Sequence, residues 1–343
     1  MTFTAVALPL VSVSASAIEI PIPEVPRFAS PYMPPEPQNL GEGIRYILGQ
    51  AGSFLRPDLK EASGVCLGIV CVVMILAVMR CIPGASARVV DLAGAVSLSV
   101  LMFSSAGSLV NLASETVRQI SEYGKLLLTA MTAALAAQGG ITKSAALYTA
   151  TAVFDGILCS LISSLLIPLV YVFLAVSVVG AAIGEDMLKK CRDGIKWLTT
   201  WSLKTLLYIF TGYIGLTGVI SGTTDAASLK AAKLTIAGVV PVVGGILSDA
   251  SEAVLVGAAA IKNAAGLYGF FAVCAICIGP FVKIGVHYLM LRITAILCSI
   301  FAGKTQSELI QDFAGAMGML LGMTGAVSMM FLISLICYMR GVG

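Results

Sequence analysis

The stretch Val239–Leu267, VVPVVGGILSDASEAVLVGAAAIKNAAGL, decides the fold, because its apolar runs are interrupted by residues that break helices. Pro241, Gly244 and Gly245 interrupt the first run, and a polar segment at 248–252 separates it from the second. A helix that crosses a bilayer needs about 20 consecutive apolar residues, and neither half supplies them. Broken helices at membrane depth are tolerated where protein or a water-filled cavity surrounds them. We therefore expect a re-entrant element inside a bundle of membrane helices.

The composition of the whole chain also indicates a membrane protein. The 343 residues are 58% hydrophobic and only 11% charged, with a mean hydropathy of +0.97. Soluble domains carry about 25% charged residues, which solvate their surface. The sequence therefore predicts an all-α, polytopic helical membrane protein. Its net charge of +3 is scattered without a basic stripe, so we expect no nucleic-acid partner.

The N-terminal region differs from the rest of the chain. Residues 1–17 contain a short apolar run that ends in small residues, which is typical of a signal peptide. We expect cleavage after Ala17 and, because no Lys or Arg precedes Arg27, a natural start that lies upstream or is assigned differently. Residues 18–62 are rich in proline at their beginning and are predicted to be an extracytoplasmic segment. A polytopic membrane domain is predicted at 63–340.

The membrane domain is predicted to cross the bilayer roughly seven to ten times. Arg80 and Arg88 place the loop after the first span in the cytoplasm. A polar connector is expected at 114–125, and a short surface helix at 41–61. The segment 145–184 is long enough for two helices, divided or strongly kinked at Pro168, whereas 126–137 is too short to cross. The other predicted crossing segments are 63–79, 92–112, 206–220, 264–282, 284–302 and 313–339.

Two segments have apolar residues on one helical face and charged residues on the other. They lie at 184–198 and 304–317, and we expect the first to lie in the cytoplasmic membrane interface, with the second repeating its pattern. Trp197 at the end of the first segment and Trp201 just after it lie at positions typical of the aromatic belt.

The order of these features predicts an internal repeat with halves at 92–220 and 236–338. Repeats are common in transporters. In a chain this rich in Ala, Gly, Ser and Val, such matches also arise by chance, so both interpretations stay open.

No assembled catalytic motif is present in the sequence. There is no HExxH, P-loop, GxGxxG or nucleophile elbow, and a single histidine leaves little for a metal site or a triad. The nine cysteines lie mostly in apolar runs and are predicted to be packing residues. Lys283 and His287 share a helical face, which we interpret as a solvated helix end rather than a substrate path. We predict neither an enzyme, nor a cofactor, nor a bound metal.

The candidate site residues are polar or conformationally special positions within apolar runs. Asp155 is a functional candidate because ionisable residues at membrane depth are costly; the alternative is an interfacial or helix-capping role. Asp249 and Glu252 have capping-box spacing, which favours a structural role over acid–base catalysis. The complete set of candidate structural or pore-lining residues is Asp155, Pro241, Gly244, Gly245, Asp249, Glu252, Lys262 and Asn263.

Four motifs carry a resemblance to a known family. They are IGLTG at 214–218, VPVVG at 240–244, SDA at 248–250 and IKNAAGL at 261–267. Together with the signal-like start, the Pro-rich lead and the polytopic body, they resemble the stage III sporulation protein AE family of endospore-forming bacteria. The resemblance extends over most of the chain.

The resemblance implies a role in endospore development rather than a reaction. It implies a polytopic component of a channel or secretion-like complex between mother cell and forespore, located in the mother-cell (outer forespore) membrane. The implied partners are the other stage III sporulation A proteins and, directly or indirectly, stage II sporulation protein Q, besides membrane lipid. A stand-alone secondary transporter or permease is the alternative, since broken helices, a repeat and Asp155 would suit one.

Overall fold

The computed structural model describes residues 23–35, 40–83, 86–137, 141–216 and 264–340, and these residues form helices joined by short turns. No strand occurs among them, which confirms the predicted all-α class. The elements are a 3₁₀ turn at Ser30–Tyr32, α1 at Leu40–Arg80, α2 at Ala87–Ala137, α3 at Ile141–Leu161, a π-helical turn at Ile162–Leu166, α4 at Ile167–Ile183, α5 at Asp186–Leu216, α6 at Ala264–Cys298 and α7 at Lys304–Arg340.

Within the described ranges, five helical segments are long and apolar enough to cross a membrane. They belong to α1, α2, the combined α3 and α4, α6 and α7, and they confirm a polytopic helical membrane protein. The predicted signal peptide and most of the stretch at 239–267 lie outside the described residues. The repeat with halves at 92–220 and 236–338 stays a prediction, because part of both halves also lies outside them.

Helix α7 is the centre of the bundle. In its most apolar window, 89% of the residues are buried inside the protein, compared with 28% for α1. It packs chiefly against α6, α2 and α4. Two glycines allow the close approach of α6: a Cβ atom added to Gly318 would lie 3.1 Å from the Tyr288 ring, and one added to Gly325 would lie 3.3 Å from the Phe281 ring. Small residues serve this purpose in membrane bundles, where packing rather than apolar burial drives helix association.

Helix α2 runs straight through the predicted polar connector at 114–125, so that prediction is wrong. Arg118 donates to Glu122 across 2.6 Å and to Glu115 across 2.8 Å, and such pairs stabilise a polar helical surface. The 51-residue helix is about 76 Å long, far more than the roughly 30 Å of a hydrocarbon core. One part of α2 must therefore project beyond the bilayer. The segment at 126–137, which was predicted to be too short to cross, is the last part of this helix.

Other predicted segment boundaries also lie inside longer, continuous helices. Helix α1 contains both the predicted surface helix at 41–61 and the first span. Helix α6 is continuous where two spans were predicted, although Pro280 lies inside it. The turn at Ser30–Tyr32 packs beside this part of α6, and neighbouring protein allows such a proline to be accommodated.

The long apolar run at 145–184 was predicted to divide or kink at Pro168. The structure instead has a single π-helical turn just before the proline. The π-helical turn at Ile162–Leu166 directly precedes α4, whose first turn holds Pro168. A π turn accommodates an irregularity without ending the helix. The helical path through α3 and α4 is therefore continuous.

Helix α5 turns back along α4. Gly184 makes the turn with φ of 78°, a left-handed conformation that glycine adopts readily, and Phe210 in the second half of α5 contacts Phe154 on α3. The segment at 184–198 is therefore mostly the first part of a longer helix that packs against α4, and its position in the membrane interface stays a prediction. The segment at 304–317 likewise forms the buried beginning of α7, where its apolar side chains are almost fully covered.

Candidate functional site

The candidate residues predicted from the sequence divide into two groups in the structure. Asp155 lies on α3 inside the bundle. The others lie outside the described residues, so their roles stay predictions; they are Pro241, Gly244, Gly245, Asp249, Glu252, Lys262 and Asn263. The polar contacts that the structure does show gather along the buried helix α7 and beside α6.

One polar contact lies where the first helix hairpin meets the start of α7. Arg80 bonds to the Asp91 carboxylate and donates to Gln306 Oε1 across 2.8 Å. Gln306 in turn donates from Nε2 to Asp91 Oδ1 across 3.0 Å. Because Arg80 and Asp91 are about one third exposed, the ion pair stabilises only by roughly 0–1 kcal/mol. Its effect is to align the ends of three helices.

A second contact joins α5 to α7 and is much less exposed. Arg192 donates from Nη1 to Asp312 Oδ2 across 2.9 Å, and the two side chains are 16% and 11% exposed. Glu308 lies 3.8 Å from the same guanidinium nitrogen and 4.0 Å from Lys189 Nζ. Burial lowers the pKa of Arg192, but Asp312 and Asp193 outweigh it and raise that pKa above its ordinary value. The guanidinium therefore stays charged.

A cavity of about 20 Å³ adjoins this charged cluster. Its lining combines the end of α4, including Gly180 and Gly184, with Arg192 and Asp312. This volume is enough for about one water molecule. The cluster is thus a packed polar junction at this end of the bundle and not a substrate-sized pocket.

The third polar contact joins α1 to α6 and corrects the interpretation of His287 as part of a solvated helix end. Lys283 Nζ lies 2.8 Å from Glu61 Oε2. His287 is only 2% exposed, its Nδ1 lies 3.0 Å from the Lys283 carbonyl oxygen, and its Nε2 has no hydrogen-bond partner in the described part of the chain. The shared face predicted for Lys283 and His287 lies against α1, which buries His287 but leaves the Lys283 side chain 31% exposed.

Asp155 is the most buried carboxylate of the described residues, at 2% exposure. Its Oδ1 accepts a hydrogen bond of 3.0 Å from Ser334 on α7, and its Oδ2 has no partner there. Because it lies in the middle of α3, it does not cap a helix. The sequence identified Asp155 by its charge but could not identify Ser334, which is one of several serines in apolar runs.

The described residues contain no group of three or more His, Cys, Asp or Glu side chains that could hold a metal ion. The contacts found are ion pairs and hydrogen bonds between helices. They position α1, α2, α3, α5 and α6 around α7, and they could also hold single protons or water molecules.

Comparison with known proteins supplies the family. Stage III sporulation protein AE of Bacillus subtilis (strain 168) is 22% identical over 238 residues, which cover 69% of this chain and 60% of that protein. No solved structure matches the chain. The sequence profile of stage III sporulation protein AE matches residues 38–341, which include every helix from α1 to α7. The chain belongs to the stage III sporulation protein AE family.

Proposed function

We propose that this chain is a polytopic membrane component of a channel or secretion-like complex that joins mother cell and forespore. The observation that carries the proposal is the family match over residues 38–341. The family name itself implies a role in sporulation and membership in the stage III sporulation A group. The finer proposal adds a location in the mother-cell (outer forespore) membrane and a connection, directly or through other proteins, to stage II sporulation protein Q.

Large apolar side chains on the outside of the bundle support a role in an assembly as well as contact with lipid. Val100 on α2 is 73% exposed, and Leu67 on α1 is 66% exposed. A membrane component of a complex needs such faces both for lipid and for partner helices. Membrane lipid is therefore part of the proposed surroundings, and the proposal involves neither nucleic acid nor a cofactor.

The outer face of α5 has features of a partner contact. Trp197 and Trp201 stack with ring centroids 5.9 Å apart and are 65% and 52% exposed. Gly194, one turn before Trp197, is exposed and has open space where a side chain would lie. Tryptophan is enriched at the energetic centre of protein interfaces, and a glycine lets another helix approach.

Affinity purification from sporulating cells tests the proposal. The tagged full chain, solubilised in mild detergent during engulfment, is expected to recover other stage III sporulation A proteins and stage II sporulation protein Q. An unrelated polytopic protein with the same tag and expression level is the control. Recovery of the chain without these proteins, under conditions that preserve another known membrane complex, would contradict the proposal.

Asp155 and the π turn favour a second candidate, a stand-alone secondary transporter. A buried carboxylate marks ion pathways in many membrane proteins, and π turns occur frequently at functional sites. Purified protein in liposomes separates the two candidates. Ion-coupled solute uptake without partner proteins would support the transporter.

A further inference from the structure

The contact between α3 and α7 contains a carboxyl group with half of its hydrogen-bonding capacity unused. Ser334 Oγ donates to Asp155 Oδ1 across 3.0 Å, whereas Asp155 Oδ2 is buried without a partner among the described residues. A carboxylate has about four acceptor positions on its two oxygens. One neutral hydroxyl group is therefore a poor substitute for the water that surrounds an exposed carboxylate.

The charged groups elsewhere in the bundle show how this protein stabilises a buried carboxylate. Asp312, at 8% exposure, is paired with Arg192 across 2.9 Å. Asp155 is buried more deeply and forms no salt bridge with a described residue. An isolated ionised carboxylate in such surroundings is very costly, and the group becomes neutral instead.

Among the described residues, the side chains around Asp155 provide no compensating positive charge at contact distance. Cys159 lies one turn further along α3, close to Asp155 and to Ser121 of α2. Lys125 of α2 also acts on Cys159 but is itself exposed. From α5, the aromatic ring of Phe210 packs on Phe154, the residue beside Asp155. The surroundings are thus neutral and largely apolar.

We propose that Asp155 is a proton-binding site, in which the carboxyl group held by Ser334 carries one proton between α3 and α7. The proton occupies the carboxyl oxygen that Ser334 does not contact. When it dissociates to water, the O–H bond breaks and the electron pair stays on Asp155. The resulting charge has no partner in this contact, so proton release loosens α3 from α7. This proposal concerns the chain alone and does not depend on the partner proteins.

Infrared spectroscopy of the purified full chain in nanodiscs tests the protonation directly. At neutral pH, the wild-type protein is expected to show the C=O stretching band of a protonated carboxyl group that is absent from Asp155→Asn. Ser334→Ala is expected to keep this band at a shifted frequency, because the carboxyl loses a hydrogen bond but remains buried. Asp186→Asn is the matched control, since Asp186 is 91% exposed and its removal is expected to leave the band unchanged.

The same variants decide the outcome if Asp155→Asn does not fold. In that case, a wild-type band that shifts in folded Ser334→Ala still supports the proposal. Absence of any protonated-carboxyl band from the folded wild-type protein at neutral pH overturns it, and so does a band that neither Asp155→Asn nor Ser334→Ala affects. Thermal unfolding supplies a second measure. Asp155→Asn is expected to keep the unfolding temperature of the wild-type protein. A marked decrease that no other neutral side chain at position 155 restores would indicate that the ionised carboxylate holds α3 and α7 together.

Discussion

Arg192 on α5 and Asp312 on α7 form a hydrogen-bonded ion pair of 2.9 Å in which neither side chain is more than 16% exposed. The pair joins the outer helix of the α4–α5 hairpin to the most buried helix of the bundle. When Asp312 is removed, Asp193 and Glu308 remain beside the Arg192 guanidinium, so the expected cost is that of one lost hydrogen bond between charged groups.

We expect Asp312→Ala to destabilise the protein by about 1.5–3 kcal/mol, the range for hydrogen bonds to charged groups. Thermal unfolding in detergent, followed by the intrinsic fluorescence of Trp197 and Trp201, measures the effect. Asp193→Ala is the control, because Asp193 also contacts Arg192 but is 66% exposed. Equal losses in the two variants would show that burial does not determine the strength of these contacts.

The glycine contact between α6 and α7 leads to a second prediction. Gly318→Val is expected to destabilise the bundle by about 1–3 kcal/mol, the usual cost of overpacking, because a Cβ atom there already lies 3.1 Å from Tyr288. Gly194→Ala is the matched control: it lies in an exposed part of α5 with nothing nearby and is expected to stabilise by up to about 1 kcal/mol. Unfolding temperatures of both variants test the prediction, which fails if Gly318→Val is neutral.

The topology can be tested with thiol labelling. Cys81 follows α1 and Cys191 lies near the start of α5, and both are exposed. The neighbours Arg80 and Arg192 each contact the first turns of α7, so the two thiols lie at the same end of the bundle.

In variants that keep one cysteine each, a membrane-impermeant maleimide is expected to label Cys81 and Cys191 from the same side. The positive-inside rule predicts that this side faces the cytoplasm. The buried Cys159 serves as the unreactive control. Labelling of Cys81 and Cys191 from opposite sides would contradict the arrangement of α1, α5 and α7.

The exposed tryptophans give a prediction that depends on the proposed complex. Trp197→Ala combined with Trp201→Ala is expected to change the unfolding temperature little, since both rings lie at the surface, but to reduce recovery of partner proteins several-fold. A matched double substitution of the exposed Leu289 and Ile293 on α6 distinguishes a specific face from general loss of apolar surface. Equal effects of both pairs would argue against a partner on α5.

The sequence alone predicted the fold class well but placed the helix ends poorly. Composition and apolar run lengths identify membrane helices because the bilayer imposes them. Polar stretches were predicted to be connectors, yet Arg118 and its two glutamates lie in the middle of α2. A helix that extends past the bilayer is exposed to water there. Ion pairs between side chains on its own surface keep such a polar stretch helical.

The contacts between helices could not be predicted, since they join residues far apart in the chain. Asp155 was identified from its charge in an apolar run, whereas Ser334, 179 positions away, has no feature that distinguishes it from other serines. His287 was misplaced for the same reason, because its burial depends on α1. The central position of α7 could not be predicted from the sequence either, because residues that face lipid and residues that face protein are both apolar.

The burial of α7 has an evolutionary consequence. Residues that face lipid need only be apolar, whereas those of α7 must match the shapes of neighbours on several sides, as Gly318 and Gly325 match Tyr288 and Phe281. In a family where two members share 22% identity, substitutions are expected to accumulate on the outer faces of α1 and α2 and to be rare along α7. The slowest-changing part of the chain would then be the helix whose apolar window is the most deeply buried of the five.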